Sequence, residues 1–426
     1  MGCCLSTPVD FEGEVNLYHF DLHRVVGKGA FGKVRVVEHR RSKKLFALKY
    51  IDKAQCSKQR AVANVIQERR LLEEIDHPFI VNMRYAFQDD ENCFFVLDLM
   101  LGGDLRFHME RKGEINESCV RFWTAELASA CNYLHRQKII HRDIKPDNVL
   151  LDAHGHVHLT DFNVAIHYSE RRLHTSVAGS MAYMAPEILA RKGYTWHVDY
   201  WSLGVCVFEL LFCRRPFESR SGDKLTQAIM KGSVKFPLGA DEKCSKEGQS
   251  LVLALLDRNP KTRIACQSRE RGMAEFKKHP WFADIEFGRL MEKEIQPPFV
   301  PDLNRTNFDV SHELDEFLMV EKTLTHSQRK KNVDVDKMKP EYRMLEEQFT
   351  VYDYTSQHRT SYYPHNQPIV VGKADGESYV IPSATNTVVP NQTYLERSQV
   401  HGSMAHVSQG QVSILVNQSK ENLKLA

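Results

Sequence analysis

The hydrophobic pattern of this chain changes its period once, near residue 100. Residues 20–100 alternate apolar and polar side chains between glycines, which is typical of strands, and within them only 62–75 has helical spacing. From residue 104 to about residue 282 the spacing is mostly helical, with dense polar clusters in short loops. The pattern predicts an α+β fold of two lobes: a small antiparallel β-rich lobe with one key helix (20–100) and a larger, mainly helical lobe (101–282).

Further segments flank the two lobes. Residues 1–19 form a leader, and residues 283–354 form an extension that begins with several prolines and contains a mixed-charge, helix-like stretch near 337–348. Residues 355–426 are rich in Ser, Gln, Asn and Thr and have little periodicity, so we expect this tail to be disordered.

Composition excludes several classes of protein. With 42% hydrophobic and 26% charged residues, the chain has the balance of a soluble globular protein rather than a disordered one. The net charge of +2 gives no bulk electrostatic reason to expect a nucleic-acid partner. Ten cysteines without a CxxC pair or a regular spacing indicate free thiols in a reducing cytosol. The longest apolar run, 200–213, contains Ser202 and Glu209, so we interpret it as a buried core helix rather than a transmembrane segment.

A glycine-rich segment at the start of the small lobe has the spacing GxGxxG. Glycines at these positions let a hairpin approach a triphosphate at distances where a Cβ atom would collide. The same spacing opens dinucleotide-binding folds, but here a strand pattern rather than a helix follows the last glycine. We therefore predict that the segment binds ATP through Val26, Gly27, Lys28, Gly29, Ala30, Phe31, Gly32, Lys33 and Val34.

Two charged residues follow in the small lobe. Lys49, in the sequence FALK, could supply a cation to the α- and β-phosphates, and Glu68, in the middle of the helical segment, could pair with it. Taken singly, both are better explained as solvated surface charges. Their assignment to the ATP site therefore depends on the motifs further along the chain.

The sequence HRDIKPDN at 141–148, with the DFN that follows it, carries the strongest chemical signal. Asp143 could orient a hydroxyl nucleophile, and Lys145 could steady the γ-phosphate. Asn148 and Asp161 offer the oxygen ligands that Mg²⁺ prefers. These residue types in this order are what transfer of a phosphoryl group requires.

The order of the motifs argues against a chance match. The alternative is a polar loop that happens to hold this octapeptide, but the glycine-rich segment, Lys49 and APE (185–187) all stand in the matching order. Glu187 of APE is expected to pair with a buried Arg263, and Asp199 is expected to cap the backbone of the HRD loop.

Together these motifs resemble those of a eukaryotic protein kinase over roughly residues 20–282. DIKPDN resembles the serine/threonine class, and PPFVP (297–301) and NFD (307–309) resemble the C-terminal extension of AGC kinases. Three longer sequences resemble the YANK subfamily, the family-32 serine/threonine kinases: DAHGHVHLTDFNVA (152–165), LGGDLRFH (101–108) and ELDEFLMVEKTLTH (313–326). The resemblance implies the two-lobed kinase fold and a serine/threonine protein kinase that uses ATP and Mg²⁺.

An active kinase competes with two alternatives, a pseudokinase that acts as a scaffold and a membrane adaptor. Scaffolds usually lose at least one catalytic residue, whereas this chain keeps Lys49, Glu68, Asp143, Asn148 and Asp161. The adaptor alternative rests on a tail without a recognisable recognition motif. We therefore expect an active signalling enzyme that acts on protein substrates and not on nucleic acid, and the oligomeric state stays open.

The chain departs from the general kinase pattern at two places. Asn163 stands where most kinases have the glycine of DFG, and asparagine is one of the few other residues that tolerates left-handed backbone conformations. We expect Asn163 to restrict the conformational switching of this loop without abolishing metal binding by Asp161. Ser180 and Met181 stand at positions that are often Thr and Pro, and the Ser180 hydroxyl could still bridge Asp143 and its neighbouring lysine.

The resemblance to AGC kinases implies further sites in the large lobe. Asp104, Asp147 and Glu209 match positions where carboxylates pair with substrate arginine, so we expect a preference for Arg or Lys shortly before the acceptor. Asp104 also matches a contact to the ATP ribose. Ser176, three residues before a glycine, matches the activation-loop phosphosite, with Arg142 as the partner of its phosphate and Thr175 as a competing site.

The extension ends in a sequence that resembles the hydrophobic motif of AGC kinases. In this motif Phe349 and Tyr352 would fill a groove beside the Glu68 helix, and Asp353 would stand where others carry a phosphorylated Ser or Thr. Arg69 could meet Asp353 at the rim of the groove, and Phe308 of NFD would lie across the nucleotide pocket. The alternative is an aromatic cluster in a disordered segment.

The first six residues, MGCCLS, match the pattern for N-myristoylation, with Gly2 as the acceptor and Ser6 at the required position. We expect Cys3 and Cys4 to be palmitoylated as well. One myristoyl chain binds a bilayer weakly, with an association constant on the order of 10⁴ M⁻¹, so stable anchoring needs a second acyl chain. The alternative is a short leader with incidental cysteines. The pattern predicts a cytoplasmic protein held on the cytosolic face of a membrane by its acyl chains, without a transmembrane segment.

Overall fold

The computed structural model of the chain describes residues 9–28, 32–169, 171–303, 307, 324, 335–357, 359, 369–372 and 378–381. Several predicted site residues lie outside these ranges: Gly2, Cys3, Cys4, Gly29, Ala30, Phe31 and Phe308. None of the helices within the described ranges combines the length and apolarity that a bilayer span requires.

The small lobe is built on one antiparallel sheet. Its strands are β1 (Phe20–Lys28), β2 (Gly32–His39), β3 (Leu45–Asp52), β4 (Met83–Gln88), β5 (Asn92–Asp98) and β10 (Tyr352–Asp353). They stand side by side in the order β1-β2-β3-β5-β4-β10. The first five come from the region predicted as strand-like, whereas β10 is supplied by the C-terminal extension.

Two helices connect β3 to β4, namely α1 (Lys53–Lys58) and α2 (Val62–Glu74). Helix α2 confirms the helix predicted at 62–75, whereas α1 was not predicted. The apolar residues that gave it helical spacing are buried, as the 3.6-residue period requires of a helix with one face on a core: Val62, Val65, Ile66 and Leu72. Glu68 is buried with them, which is unusual for a carboxylate unless it has a partner.

The large lobe is helical, as predicted. Its helices are α3 (Leu105–Lys112), α4 (Glu117–Arg136), α5 (Pro186–Leu189), α6 (His197–Phe212), α7 (Gly222–Lys231), α8 (Ala240–Lys243), α9 (Lys246–Leu255), α10 (Arg269–Lys277) and α11 (Phe287–Met291). Helix α6 is buried from Val198 to its last residue, which confirms the core helix predicted from the apolar run. It packs against α4 and α9 in the centre of the lobe.

Two pairs of short strands frame the loops that face the small lobe. Strand β6 (Ile139–Ile140) pairs with β9 (Ile166–His167), and β7 (Val149–Leu151) pairs with β8 (Val157–Leu159). The HRDIKPDN loop therefore runs between β6 and β7, and the DFN sequence runs between β8 and β9. This arrangement brings both polar loops to the same side of the large lobe.

The C-terminal extension returns to both lobes. Asn307 lies against the linker between the lobes, where its side-chain amide donates to the Leu101 carbonyl over 3.2 Å. Gly103 has a left-handed backbone (φ 76°), and a Cβ there would lie 1.9 Å from the Asn307 carbonyl oxygen, so only glycine fits. Helix α12 (Pro340–Gln348) then packs against α2 and α1 and leads into β10. Two strands beyond it, β11 (Ile369–Gly372) and β12 (Ser378–Ile381), pair antiparallel.

The described part of the leader also packs on the small lobe. Val15 and Leu17 are buried in the core of the lobe, and the Phe11 ring meets the ring of His39 in β2 edge-on at 6.1 Å between centroids. Nearby, the ring of His39 in β2 stacks on the ring of Tyr85 in β4 at 5.7 Å. The N-terminal segment thus ends against the same sheet that receives the C-terminal strand.

Candidate active site

A cavity of about 370 Å³ lies in the cleft between the two lobes. It is lined by most of the described residues predicted to bind ATP, metal or substrate: Val26, Gly27, Gly32, Val34, Lys49, Glu68, Asp104, Asp147, Asn148 and Asp161. Lys28 and Lys33 pair across the β1–β2 hairpin and do not line the cavity. A larger cavity of about 1,050 Å³ on the large lobe, beside Arg136 and Trp196, contains none of the predicted site residues.

Position 32 requires a glycine for a structural reason, in addition to the predicted approach to the triphosphate. A Cβ at this position would lie 1.7 Å from the carbonyl oxygen of Tyr50 in β3. The start of β2 therefore approaches the backbone of β3 too closely for any side chain. This glycine lets β2 pair with β3 at this close distance beside the cavity.

Lys49 connects the small lobe to the DFN loop. Its Nζ lies 2.7 Å from Glu68 Oε1 and 3.4 Å from Asp161 Oδ1. Burial alone would lower the pKa of Lys49, but the charges and hydrogen bonds of Glu68 and Asp161 outweigh it, and the net shift is upward. Lys49 is therefore a fixed cation at the back of the cavity, and Glu68 is its partner rather than a solvated surface charge.

Asp143 is held by hydrogen bonds to both of its carboxylate oxygens. Lys145 Nζ donates to Oδ2 over 2.8 Å, Asn148 Nδ2 donates to the same oxygen over 2.9 Å, and the Ser180 N–H donates to Oδ1 over 2.8 Å. Burial would raise the pKa of Asp143, but hydrogen bonds from Lys145 and Ser180 more than compensate and lower it. The group is an ionised carboxylate that can accept a hydrogen bond from a hydroxyl.

Ser180 also reaches Lys145, because Lys145 Nζ donates to Ser180 Oγ over 2.9 Å. The predicted link between Ser180, Asp143 and Lys145 is therefore present. Because Ser180 belongs to the activation segment, this contact attaches that segment to the HRDIKPDN loop.

Asn148 and Asp161 both line the cavity and offer oxygen ligands there. No cluster of three or more His, Cys, Asp or Glu side chains fit to hold a metal occurs in the part of the chain that the structure describes. Mg²⁺ does not need one, since it is usually bound through one or two protein oxygens, phosphate oxygens and water. The amide of Asn148 and the carboxylate of Asp161 fit that pattern.

The backbone conformation of Asn163 in the DFN loop is not the left-handed one that the sequence suggested. The left-handed residue is Asp161 (φ 66°), whereas Asn163 is not among the described residues with positive φ. Asn163 Nδ2 instead lies 3.4 Å from Asp161 Oδ2, a long hydrogen bond to the predicted metal ligand. Asparagine is therefore accommodated here without any left-handed conformation, and it contacts the group that a glycine would leave free.

Two acidic side chains, those of Asp199 and Glu187, hold the loops in place, as predicted. Asp199 Oδ2 and Oδ1 accept the backbone N–H groups of His141 (3.0 Å) and Arg142 (2.9 Å), and the Asp199 side chain is fully buried. Glu187 Oε1 lies 2.8 Å from Nη1 of Arg263, which has an exposed fraction of 0%. Both contacts hold one segment of the large lobe to another, so we interpret them as structural.

Comparison with known proteins identifies the fold. A family model described as "Protein kinase domain" matches residues 20–282. The chain belongs to the protein kinase family. It is 39% identical over 327 residues to serine/threonine-protein kinase 32B of Homo sapiens, covering 76% of this chain and 77% of that protein. It is 40% identical over 330 residues to serine/threonine-protein kinase 32C of Homo sapiens, covering 76% and 66%.

A more distant relative is serine/threonine-protein kinase AtPK2/AtPK19 of Arabidopsis thaliana, 38% identical over 308 residues, covering 71% of this chain and 64% of that protein. The two human relatives confirm the resemblance to the family-32 kinases. The chain is therefore a protein serine/threonine kinase of AGC-like type. Membership implies ATP as the phosphoryl donor and typically Mg²⁺ as the metal.

The activation segment of this kinase lies against the HRD arginine. Arg142 Nη1 donates to Ser176 Oγ over 3.0 Å and to the Tyr194 hydroxyl over 3.1 Å. The Tyr194 hydroxyl in turn donates to the Ser176 carbonyl over 2.8 Å. Ser176 thus already lies beside the cation predicted to bind its phosphate, and Tyr194 is a partner that sequence reasoning missed.

The three predicted substrate acids have different surroundings. Asp104 caps α3, where its Oδ1 accepts the Phe107 N–H over 2.8 Å. Asp147 and Glu209 both pair with Arg106, a residue that sequence reasoning passed over although it stands in the quoted LGGDLRFH sequence. The predicted acidic groove therefore contains a cation of the chain itself.

The hydrophobic motif of the extension is docked beside α2. Phe349 is fully buried, and its ring meets the Phe95 ring edge-on at 5.2 Å between centroids. Gln88 Nε2 donates to the carbonyl oxygens of Leu345 (3.0 Å) and Phe349 (2.9 Å) at the end of α12, where helical carbonyls run out of backbone partners. Tyr352 is buried where β10 joins the sheet.

The predicted contact between Arg69 and Asp353 is wrong. Arg69 Nε donates to the Thr350 carbonyl over 2.8 Å, and its Nη1 pairs with Glu73 at 2.6 Å. Asp353 Oδ1 instead accepts hydrogen bonds from the backbone and hydroxyl of Thr355 (2.9 and 2.7 Å). The reason is that the chain turns into β10 after Thr350 and follows the edge of β4, where Asp353 pairs with Tyr85.

Proposed function

We propose that this kinase is catalytically active and transfers the γ-phosphate of ATP to serine or threonine hydroxyls, with Mg²⁺ as cofactor. The observation that carries the proposal is the hydrogen-bonded Asp143. Its two carboxylate oxygens are fixed by Lys145, Asn148 and Ser180, and its ionised form can orient the attacking hydroxyl.

The other residues of the site have complementary roles in this proposal. Lys49, held by Glu68, binds the α- and β-phosphates, and Lys145 steadies the γ-phosphate. Asn148 and Asp161 would hold Mg²⁺, which when bound supplies positive charge to the β- and γ-phosphate oxygens. Asp104 would contact the ribose hydroxyls at the mouth of the cavity. A protein that acted only as a scaffold would not require this set of paired charges.

Transfer of radiolabelled phosphate from ATP to a generic serine peptide tests the proposal. Asp143→Asn should reduce the rate on the order of 10²–10⁴-fold, the usual contribution of a positioned acid–base group. Asp223→Asn is the matched control, because Asp223 is an exposed carboxylate in α7 and should leave the rate unchanged. If wild-type protein that is folded by its melting profile transfers no phosphate, the scaffold alternative replaces this proposal.

A preference for basic residues before the acceptor is a second part of the proposal, in a narrower form than the sequence suggested. Burial and the like charge of Asp147 raise the pKa of Asp104, while the charge of Arg106 acts in the opposite direction. Within the described chain, no lysine or arginine forms an ion pair with Asp104. Asp104 is therefore the acid through which we expect this kinase to select one basic residue.

We further propose that the kinase acts in signalling at a membrane, to which acyl chains on Gly2, Cys3 and Cys4 attach it. The observation that supports this is the MGCCLS sequence, which provides a myristate acceptor and two adjacent palmitate acceptors. Phe11, Val15 and Leu17 pack on the small lobe, so only a short segment would separate the acyl chains from the sheet. The enzyme would therefore act on substrates close to the membrane surface.

A further inference from the structure

Arg106 lies at the N-terminus of α3 and points its guanidinium group between two acids of the substrate groove. Nη1 donates to Glu209 Oε1 over 2.9 Å, and Nη2 donates to Glu209 Oε2 over 3.2 Å, which makes a bidentate pair. Nη2 also lies 3.3 Å from Asp147 Oδ2 and 2.6 Å from the Tyr183 hydroxyl. Arg106 thus makes the contacts that an incoming substrate arginine would make.

The groove at Asp147 and Glu209 carries balanced charge. Besides Arg106, Arg215 Nε lies 4.0 Å from Glu209 Oε1. Two guanidinium groups therefore face two carboxylates, and the electrostatic attraction that unpaired acids would exert on a cationic peptide is largely cancelled. Asp104 forms no such ion pair among the described residues, so the charge of Arg106, which also acts on it, cancels less of its attraction for a cationic peptide.

Burial makes the pair with Glu209 hard to exchange. The Glu209 side chain is only 6% exposed and that of Arg106 only 22%, whereas Asp147 at the outer edge is 46% exposed. A buried carboxylate needs a charged partner, and a bidentate guanidinium is the best match for its geometry. The Tyr183 hydroxyl donates to Glu209 Oε2 as well, so Glu209 has a full set of partners before any substrate arrives. A substrate arginine would have to displace Arg106 and leave that cation without its carboxylate.

We propose that Arg106 determines substrate specificity by acting as an internal ligand of Asp147 and Glu209. It occupies the subsite at which a peptide arginine would bind, so the kinase accepts uncharged side chains there as well as, or better than, Arg or Lys. The inference rests on the proposed kinase function, because it concerns the peptide groove of that same site. It assigns basic selection to Asp104 alone.

A peptide series tests this with full-length protein. A neutral serine peptide with alanines around the acceptor is compared with variants that carry one arginine at each position before the serine in turn. The readout is kcat/KM for each arginine peptide divided by kcat/KM for the alanine peptide. This ratio is insensitive to a general loss of activity, which matters because Arg106→Met leaves Glu209 buried without its main partner.

Arg106→Met should raise the ratio about tenfold at one position where the wild type shows no preference, since a charge-assisted hydrogen-bonded pair becomes available to the peptide. The double variant Arg106→Met/Glu209→Gln should lose that gain. Arg111→Met is the matched control on the same helix, because Arg111 packs over Phe107 and contacts neither acid, and it should show wild-type ratios. A merely structural role of Arg106 would lower both kcat/KM values together and leave every ratio unchanged.

A second arm does not depend on the folding of any Arg106 variant. In the otherwise wild-type chain, Glu209→Gln should leave in place any arginine preference that Asp104 provides, because the peptide does not use Glu209. The inference is overturned if the Glu209→Gln protein loses an arginine preference that the wild type has. It is also overturned if the Arg106→Met protein phosphorylates the alanine peptide but shows no new preference for arginine. Failure of the wild type to phosphorylate any peptide would instead refute the kinase function on which the inference rests.

Discussion

Lys53 Nζ lies 3.1 Å from Glu346 Oε1, and this ion pair joins the first helix of the small lobe to the helix of the C-terminal extension. The Lys53 side chain is only 2% exposed and also donates to the Asp89 carbonyl over 2.6 Å. A lysine this deeply buried is rare unless it is paired. The extension therefore completes the small lobe by satisfying a charge inside it.

Glu346→Gln should destabilise the small lobe and lower kcat/KM. Removing one partner of a buried ion pair costs up to about 3–5 kcal/mol, and the remaining bond of Lys53 to Asp89 should bring the loss to about 1–3 kcal/mol. Urea unfolding measures the loss. The matched control is Glu347→Gln, since Glu347 is the exposed neighbour on the same helix. Equal stability of the two variants would contradict the role given to the Lys53 pair.

Truncation after Lys339 should lower kcat/KM further than Glu346→Gln. It removes α12, β10 and the buried Phe349 together, and each buried aromatic contributes on the order of 1.5–3 kcal/mol. Asp353→Ala should have a much smaller effect, because the described contacts of the Asp353 carboxylate go to Thr355 and not to Arg69. Kinetics with saturating ATP and varied peptide would check both. A truncated protein as active as the full chain would show that the extension does not support α2.

Ser176→Ala should reduce activity and remove a phosphate detectable by mass spectrometry. A phosphate on Ser176 Oγ would lie beside Arg142 Nη1, now 3.0 Å from that oxygen, and would add about −1.5 to −2 charges. The resulting charge-assisted bonds would fix the activation segment to the HRD loop. Thr175→Ala is the neighbouring control and should keep both the phosphate and the activity. A Ser176→Ala protein with full activity and an unchanged phosphate content would refute the assignment.

The stability of the small lobe should fall as the pH drops from about 6.5 towards 4. Burial, helped by the charge of nearby His19, lowers the pKa of His39 from 6.5 to about 4. Its Nδ1 accepts the Ser42 N–H over 3.1 Å, which requires the neutral ring. In this pH range the unfolded chain binds a proton at His39 that the folded chain does not, so unfolding becomes more favourable as the pH falls.

His39→Gln should therefore flatten the dependence of unfolding free energy on pH between 4 and 6.5 by up to about 1.4 kcal/mol per pH unit. Urea unfolding at several pH values measures this slope separately from any overall loss of stability. Buried histidines elsewhere contribute in the same direction and set the residual slope: His77, with a pKa of about 3, and His158 and His197, with pKa values of about 4. An unaltered slope in the variant would contradict the burial of the neutral His39 ring.

Gly2→Ala should move the protein from the membrane fraction to the soluble fraction of cells. Without the acceptor glycine no myristate is attached, and palmitoylation of Cys3 and Cys4 loses the first membrane contact on which it depends. Cys3→Ser/Cys4→Ser is the companion variant, which should keep the myristate but bind only weakly. Fractionation with labelled fatty acids would check both. Identical fractionation of Gly2→Ala and the wild type would refute the anchor.

The motifs of the active site could be predicted because each depends on residues close in sequence. HRDIKPDN fixes Asp143, Lys145 and Asn148 within one loop, and the sequence identifies that loop directly. The Lys49–Glu68 pair could be predicted only because the other motifs appeared in the expected order. Local spacing alone would have left both as surface charges.

The contacts that sequence reasoning missed join distant segments. Arg106 reaches Glu209, Gln88 reaches Phe349 and Lys53 reaches Glu346, and no periodicity relates either member of such a pair to the other. Arg69 was assigned to Asp353 from helix geometry, which gives the direction of a side chain but not the path of the segment that meets it. The path depends on β10, a strand of two residues that is too short to predict.

Strand β10 also has a consequence for how copies of this protein meet one another. Without it, β4 would be an outermost strand with backbone N–H and C=O groups open along apolar side chains, the situation in which folded chains associate edge to edge. The pairing of Tyr352 with Ala86 and of Asp353 with Tyr85 covers that edge and ends it with a carboxylate. The extension that supports α2 therefore also prevents association at the edge of β4. We expect a chain truncated before β10 to aggregate as well as to lose activity.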